Sequence, residues 1–317
     1  MDSSRLHRVF TTSPLISPDK AFQVYFHSAE RMAELPDESV DLIVTSPPYG
    51  IGLQYEGYNN DGGEQPPRTE GQVEIPVLSM ADYEAYLKRL EPVWDECWRV
   101  LAPSGYACLN MINVHAKAEF FGHSFSLPTY EDVVYYWRKK LGAEYKWAIR
   151  WLAPRNSHGS DGTNLPVKGS YPIPLEGHYD RLFEDIAVLR KLPPVGWKRS
   201  EEREARRRKS ALTLDQWKEA FSQLWKFPGS KSDEHNGILH PASYPEELPT
   251  RCIRAYSVIG DTVLDPFLGT GTTLLAARKL GRKCIGYEVE ARYRDLIANK
   301  TQMMAASIGH PSVLDDY

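Results

Sequence analysis

Val263-Leu264-Asp265-Pro266-Phe267-Leu268-Gly269-Thr270-Gly271-Thr272-Thr273 reads as a strand, a turn and the start of a helix. The β-branched, apolar run Asp261-Thr262-Val263-Leu264 predicts a short strand, and Asp265-Pro266 ends it by placing a carboxylate and then a fixed φ at its carboxyl edge. Gly269 and Gly271 open the backbone to positive φ and to close approach of a ligand. Thr272 and Thr273 offer hydroxyls that cap the helix Leu274-Leu275-Ala276-Ala277-Arg278-Lys279-Leu280, which Gly281 stops. A second apolar run, Lys283-Cys284-Ile285-Gly286-Tyr287, delivers Glu288 to the same edge, about 20 residues past the glycines, where an acidic residue of a βαβ unit grips a ribose diol.

The glycines alone do not name the ligand. The third glycine of a dinucleotide fingerprint is replaced by Leu274, and no Gly-Lys-Ser/Thr follows to cradle phosphates, so a pyrophosphate is disfavoured. Asp265 places negative charge where a cationic amino group or a sulfonium could sit, and Glu288 suits a ribose; together they fit S-adenosylmethionine. A tight turn with no ligand would use the same two glycines, so this stretch by itself leaves both readings open.

Length and composition bound the rest. With 317 residues, 42% hydrophobic content and a formal net charge of −4, the chain suits one large α/β domain, or one with an inserted lobe. No apolar run approaches the roughly 18 residues of a membrane span, and Met1-Asp2-Ser3-Ser4-Arg5 lacks a signal peptide's apolar core, so a soluble, cytoplasmic protein is expected. Cys97, Cys108, Cys252 and Cys284 are far apart with no Cys-x-x-Cys, which predicts reduced core thiols. His158, His178, His235 and His240 form no metal spacing, and no metal is expected. The mildly acidic balance gives no global nucleic-acid footprint; such binding would need a local patch.

Residues 1–20 read as a polar N-terminal arm with Ser13-Pro14 and Ser17-Pro18 turns. Phe22 to Phe26 alternates as a strand, Ala29 to Leu35 reads as a short helix, and Ser39 to Val44 as a buried strand. That strand runs into Thr45-Ser46-Pro47-Pro48-Tyr49-Gly50. Two prolines cannot continue a central strand and hold the preceding residues extended, which fixes the direction of Ser46 and of the Pro47 carbonyl at the sheet edge, with Tyr49 as an aromatic face beyond.

Ser46-Pro47-Pro48-Tyr49, taken with Asp265 through Thr273, resembles the amino-methylating DNA methyltransferases, whose catalytic tetrapeptide is Asp/Asn/Ser-Pro-Pro-Tyr/Phe/Trp. The order, catalytic motif first and cofactor motif last, resembles the β arrangement of that family, and His240-Pro241-Ala242-Ser243-Tyr244-Pro245-Glu246-Glu247-Leu248 is similar to its segment packing against the methionine part of the cofactor. Where relatives usually carry Gly-Asp ahead of the catalytic strand, this chain has His27-Ser28.

The resemblance implies a Rossmann-like, S-adenosylmethionine-dependent fold. It assigns Ser46, Pro47, Pro48 and Tyr49 to catalysis, and Asp265, Pro266, Phe267, Gly269, Thr270, Gly271, Thr272, Glu288, His240, Pro241 and Ser243 to the cofactor, S-adenosyl-L-methionine. Chemistry explains the residue types. Ser46 Oγ and the Pro47 carbonyl would accept hydrogen bonds from an exocyclic amine and favour a pyramidal nitrogen, and Tyr49 would stack on a base flipped out of the duplex. No cysteine follows a proline as ring-carbon methylation requires, so direct transfer is expected.

Between the motifs, residues 50–76 are rich in Gly and Pro and read as a lid over the base or as a plain surface loop. Met80 to Leu101 shows helical spacing, Tyr106 to Ile112 a strand, Val133 to Leu141 a helix, and Tyr145–Trp151 with Phe183–Arg190 two later strands; residues 154–178 read as loops. Lys198, Arg199, Arg203, Arg206, Arg207, Arg208 and Lys209 form the one concentrated positive stretch. With Trp217, Phe221 and Trp225 beside it and three glutamates interrupting it, it reads as DNA-binding or as a solvated helix face.

The expected architecture is a doubly wound, mainly parallel α/β sheet: an arm at 1–20, a catalytic half at 21–190, an inserted target-recognition region at 191–236 and a cofactor half at 237–317. The expected activity is site-specific methylation of cytosine N4 in double-stranded DNA, since serine as the first catalytic residue resembles the cytosine enzymes more than the adenine-N6 ones. Adenine-N6 methylation, methylation of RNA or of a small molecule, and a silent DNA-binding module are the rivals. A restriction–modification system with a cognate restriction endonuclease as a separate chain, and a monomer or homodimer, complete the expected setting.

Overall fold

Alternation and burial build the sheet from its middle outwards. In the computed structural model, which describes residues 12–48, 77, 79–116, 118–152, 167–168, 178–179, 183–229, 233–235, 238–240 and 244–307, nine strands form the main sheet. Numbered along the chain they are β1 (Thr12–Ile16), β2 (Phe22–Phe26), β3 (Val40–Thr45), β4 (Leu101–Met111), β5 (Glu144–Leu152), β6 (Phe183–Arg190), β7 (Leu224–Lys226), β8 (Thr262–Asp265) and β9 (Lys283–Tyr287). Their spatial order is β1-β2-β9-β8-β3-β4-β6-β5-β7. The run β2, β9, β8, β3, β4 is parallel throughout, while β6 is antiparallel to both its neighbours and β1 to β2. β3 is buried on both faces, as a central parallel strand must be.

Helices cover both faces, so the sheet is doubly wound. On one face, α1 (Met80–Val100) starts at an N-cap where Ser79 Oγ accepts from the Asp82 amide, and buries Tyr83, Tyr86, Leu90, Trp94 and Cys97 at helical spacing. It meets α2 (Thr129–Lys139) through Trp94 and Trp137, whose rings lie 5.8 Å apart. On the other face, α5 (Glu247–Tyr256) and α6 (Thr272–Lys279) pack over β3, β8 and β9 through Leu248, Cys252, Ile253, Leu274 and Ala277. Between β6 and β7 lie α3 (Glu201–Lys209) and α4 (Leu214–Phe221), and α7 (Arg294–Ser307) follows β9. All four cysteines are buried and free, as their spacing predicts.

Three sequence expectations are corrected. Residues 12–16 of the N-terminal arm pair with β2 as an edge strand. Residues 29–35 form turns, because the α1 side chains of Glu96 and Arg99 take their backbone groups: Glu96 accepts from the Met32 amide, and Arg99 donates to the carbonyls of Met32 and Leu35. The described part of 191–236 does not stand apart as a lobe, since β7 is itself a strand of the main sheet, parallel to β5. No helix among the described residues is long and apolar enough to cross a membrane.

Candidate active site

Three adjacent parallel strands bring the chemistry to one edge. β3 ends at Thr45 and passes into Ser46, β8 ends at Asp265, and β9 ends at Tyr287 and passes into Glu288, with β8 in the middle. At about 4.8 Å per strand the three positions span roughly 10 Å.

Asp265 is fully buried and is the hub of this edge. Its Oδ1 accepts from Thr45 Oγ1 at 2.7 Å and from the Phe267 amide at 3.1 Å; its Oδ2 accepts from Thr273 Oγ1 at 2.6 Å and from the Tyr244 hydroxyl at 3.0 Å. Burial pushes the carboxyl above its usual range, and the four donors act against that. The carboxylate expected to stand open to a ligand cation is therefore turned to the protein's own donors: it ties the residue before Ser46 to the glycine loop from beneath. Thr273 consequently does not cap α6, whose N-cap is Gly271 without a side-chain cap, and the Tyr244 and Thr273 hydroxyls also meet. Sequence reasoning missed Thr45 and Tyr244. Both lie inside stretches singled out above, so their place beside the motifs was the available signal.

The glycine loop is built on left-handed backbone and close packing. Gly269 and Gly271 have φ of 54° and 84°, and a Cβ on Gly286 would stand 2.5 Å from Leu268, which packs beneath the loop. Thr270 is buried, and its Oγ1 accepts from Lys300 Nζ at 3.2 Å. Pro266 is buried, and the Phe267 ring meets Trp94 edge-on at 5.8 Å, so these two residues anchor the loop. Glu288 accepts from the Gly269 amide at 2.7 Å and the Glu290 amide at 2.8 Å. A carboxylate has about four lone-pair sites, which leaves two for a ribose diol. Burial pushes its carboxyl up to about 7. The open lone pairs of Glu288 and the left-handed glycine backbone are a donor and acceptor set that fits S-adenosyl-L-methionine.

At the catalytic end, the Tyr86 hydroxyl on α1 donates to the Pro48 carbonyl at 2.7 Å, and the Pro47 carbonyl makes no hydrogen bond among the described residues. Tyr49, Pro241, Ser243 and residues 50–76 lie outside the described residues, and His240 closes a short two-stranded ribbon, Asp233–His235 with Ile238–His240. His27, where the family pattern departs, pairs with Glu34 at 2.9 Å and stands edge-on to Tyr287. Trp151 is core: its Nε1 donates to the Phe227 carbonyl at 3.0 Å.

The basic stretch lies at the opposite end of the strands. Arg203 pairs with Asp41, at the start of β3, and donates to Asp261, just before β8, at 2.9 Å; Arg206 donates to Asp261 at 3.0 Å. Asp261 is fully buried, and burial, reinforced by the charge of Asp41, raises its carboxyl. Arg203 and Arg206, expected to contact DNA, are here engaged by the carboxylates of Asp41 and Asp261. Lys198, Arg199, Arg207, Arg208 and Lys209 are exposed at this same amino edge, about 13 Å of strand away from Asp265.

Comparisons with known proteins agree with this geometry. The N6_N4_Mtase family, described as DNA methylase, matches residues 40–300. The Type II methyltransferase M.MjaI of Methanocaldococcus jannaschii is 34% identical over 90% of this chain and 93% of its own. TTHA0409 of Thermus thermophilus, solved with S-adenosyl-L-methionine, is 29% identical with a TM-score of 0.63 over 88% of this chain and 93% of its own. The PvuII DNA methyltransferase shares the fold, with a TM-score of 0.61 at 19% identity over 92% of this chain and 87% of its own. With Ser46-Pro47-Pro48 and the Gly269–Gly271 loop following neighbouring strands inside the matched span, the chain belongs to the N6/N4 DNA methylase family and is an S-adenosyl-L-methionine-dependent methyltransferase.

Proposed function

We propose that the enzyme methylates the exocyclic N4 amine of cytosine at a specific site in double-stranded DNA. The observation that carries the reading is the edge of β3, where uncharged Ser46 follows a Thr45 fixed on Asp265 while Tyr86 holds the Pro48 carbonyl and leaves that of Pro47 available. When bound, S-adenosyl-L-methionine supplies a methyl group on a positively charged sulfur. Ser46 Oγ and the Pro47 carbonyl accept the two amine hydrogens and turn the nitrogen lone pair out of conjugation with the ring. Ser46 is too weak a base to deprotonate a neutral amine; the proton leaves once the carbon–nitrogen bond has begun to form. Tyr49 stacks on the flipped base, and the region at 191–236 is left to contact DNA only through elements other than Arg203 and Arg206. The proposed setting is a restriction–modification system, which the Type II name of the M.MjaI relative supports.

Single-turnover methyl transfer by Ser46→Ala tests this. The rate should fall on the order of 10²–10³-fold, by analogy with deletion of one oriented transition-state partner, with cofactor and DNA affinities little changed. An unchanged rate would remove Ser46 from the mechanism.

A further inference from the structure

The exposed part of the basic stretch has a second feature beside it that methyl transfer leaves unused. A pocket of about 470 Å³ opens between α3, α4, the end of α5 and the first residues of β4, on the amino edge of the sheet. Five arginines and one carboxylate, Glu204, line it. Arg203 is committed to Asp41 and Asp261, and Arg207 to Glu204 at 3.0 Å. Arg199, Arg208 and Arg254 also line the cavity and form no ion pair among the described residues, so three of its five arginines are uncommitted. Buried Arg282 nearby is pushed down to about 10, by burial first and by the Arg254 charge in the same direction.

The opposite wall is aromatic. Trp217, 55% exposed, packs on Phe221 with ring centroids 4.3 Å apart, and Phe221 meets Tyr256 edge-on at 6.0 Å. Trp147 Nε1 donates to the Tyr256 hydroxyl at 2.8 Å and fixes that ring. The cavity lies within the range of about 300–1,000 Å³ usual for small-ligand sites. Three unpaired guanidiniums suit a phosphate dianion, and an exposed indole face suits a flat heteroaromatic ring.

We propose that this pocket is a second ligand site, separate from the catalytic edge, that takes a nucleoside monophosphate with its phosphate on Arg199, Arg208 and Arg254 and its base against Trp217. A mononucleotide carries both groups on one small scaffold. The site does not share residues with the Gly269–Gly271 loop or Glu288, so it binds its ligand whether or not the cofactor site is filled.

The test is isothermal titration calorimetry on the full chain saturated with S-adenosyl-L-methionine, which blocks adenosine binding at the cofactor loop. AMP should bind saturably, and adenosine and inorganic phosphate should each bind at least about tenfold more weakly, since each lacks one half of the recognition. Trp217→Leu and Arg208→Ala should each weaken AMP about tenfold or more while keeping the wild-type melting temperature, because both side chains are exposed. Ser46→Ala should bind AMP as the wild type does. The absence of saturable AMP binding, AMP affinity unaltered in both pocket variants, or inorganic phosphate binding as tightly as AMP would each overturn the proposal. So would binding of a short single-stranded oligonucleotide in preference to AMP, which would make the pocket a strand contact.

Discussion

Replacing Arg203 and Arg206 together by alanine should destabilise the fold and leave DNA affinity nearly unchanged. Asp261 is fully buried and holds three contacts: Arg203 at 2.9 Å, Arg206 at 3.0 Å and the Val258 amide at 3.0 Å. The double variant strips both cations and leaves a backbone amide facing a buried charge. Breaking a buried pair from one side costs about 3–5 kcal/mol. The arginine side chains are 22% and 30% exposed, so water enters the vacated space and the lower end, about 3 kcal/mol, applies. At roughly 2 °C per kcal/mol for a chain of this size, the melting temperature falls by about 6 °C. The loss depends on pH in a defined direction. Asp261 already titrates above its ordinary 3.8, because burial and then the Asp41 charge raise it, and removing the cations raises it further. The folded variant then binds more protons than the unfolded chain above 3.8, so its stability falls as pH rises through that window and is best retained at acid pH. In an Asp261→Asn background the two arginine substitutions should cost much less. Thermal melts from pH 5 to 8, with DNA binding measured at several salt concentrations, decide the matter. A wild-type melting temperature with a flattened salt slope would refute the reasoning and return both arginines to the phosphate backbone.

Cofactor affinity should strengthen as pH rises through about 7 and level off above it, because the ribose diol donates to ionised Glu288 and burial holds that carboxyl at about 7; Glu288→Gln should be weaker and flat with pH, and a flat wild-type profile by calorimetry would contradict this. Asp265→Ala should lower unfolding stability by about 1–3 kcal/mol as well as weaken the cofactor, because it leaves the Thr45, Tyr244 and Thr273 hydroxyls without their buried acceptor. Wild-type stability in urea for that variant would show that the hub is not structural.

The sheet was legible because its central strands are short, apolar and bounded by Pro, Gly and charge, and β3, β8 and β9 fall where those signals place them. Ser46, Asp265 and Glu288 meet at one edge for the same reason: each stands at the carboxyl end of a parallel strand. Two things were hidden. The direction of a side chain at a strand end is settled by what surrounds it, so Asp265 could be placed at the edge by sequence but not turned inward; that needs Tyr244, 21 residues earlier, and Thr45, 220 residues earlier. The basic stretch misled because charge on a helix carries no address. Its inward partners, Asp41 and Asp261, are far from it in sequence, and only the topology brings the starts of β3 and β8 beneath α3. Ala29 to Leu35 failed as a helix for a related reason, since Glu96 and Arg99 supply the hydrogen bonds a helix would have made internally.

The most direct measurement is to methylate an unmodified plasmid with the purified enzyme and S-adenosyl-L-methionine, digest it to nucleosides and identify the modified one by mass spectrometry. Transfer to an amine held by Ser46 and the Pro47 carbonyl predicts N4-methylcytosine. N6-methyladenine in its place would contradict the choice of base while keeping the amine chemistry, and 5-methylcytosine would contradict the mechanism itself.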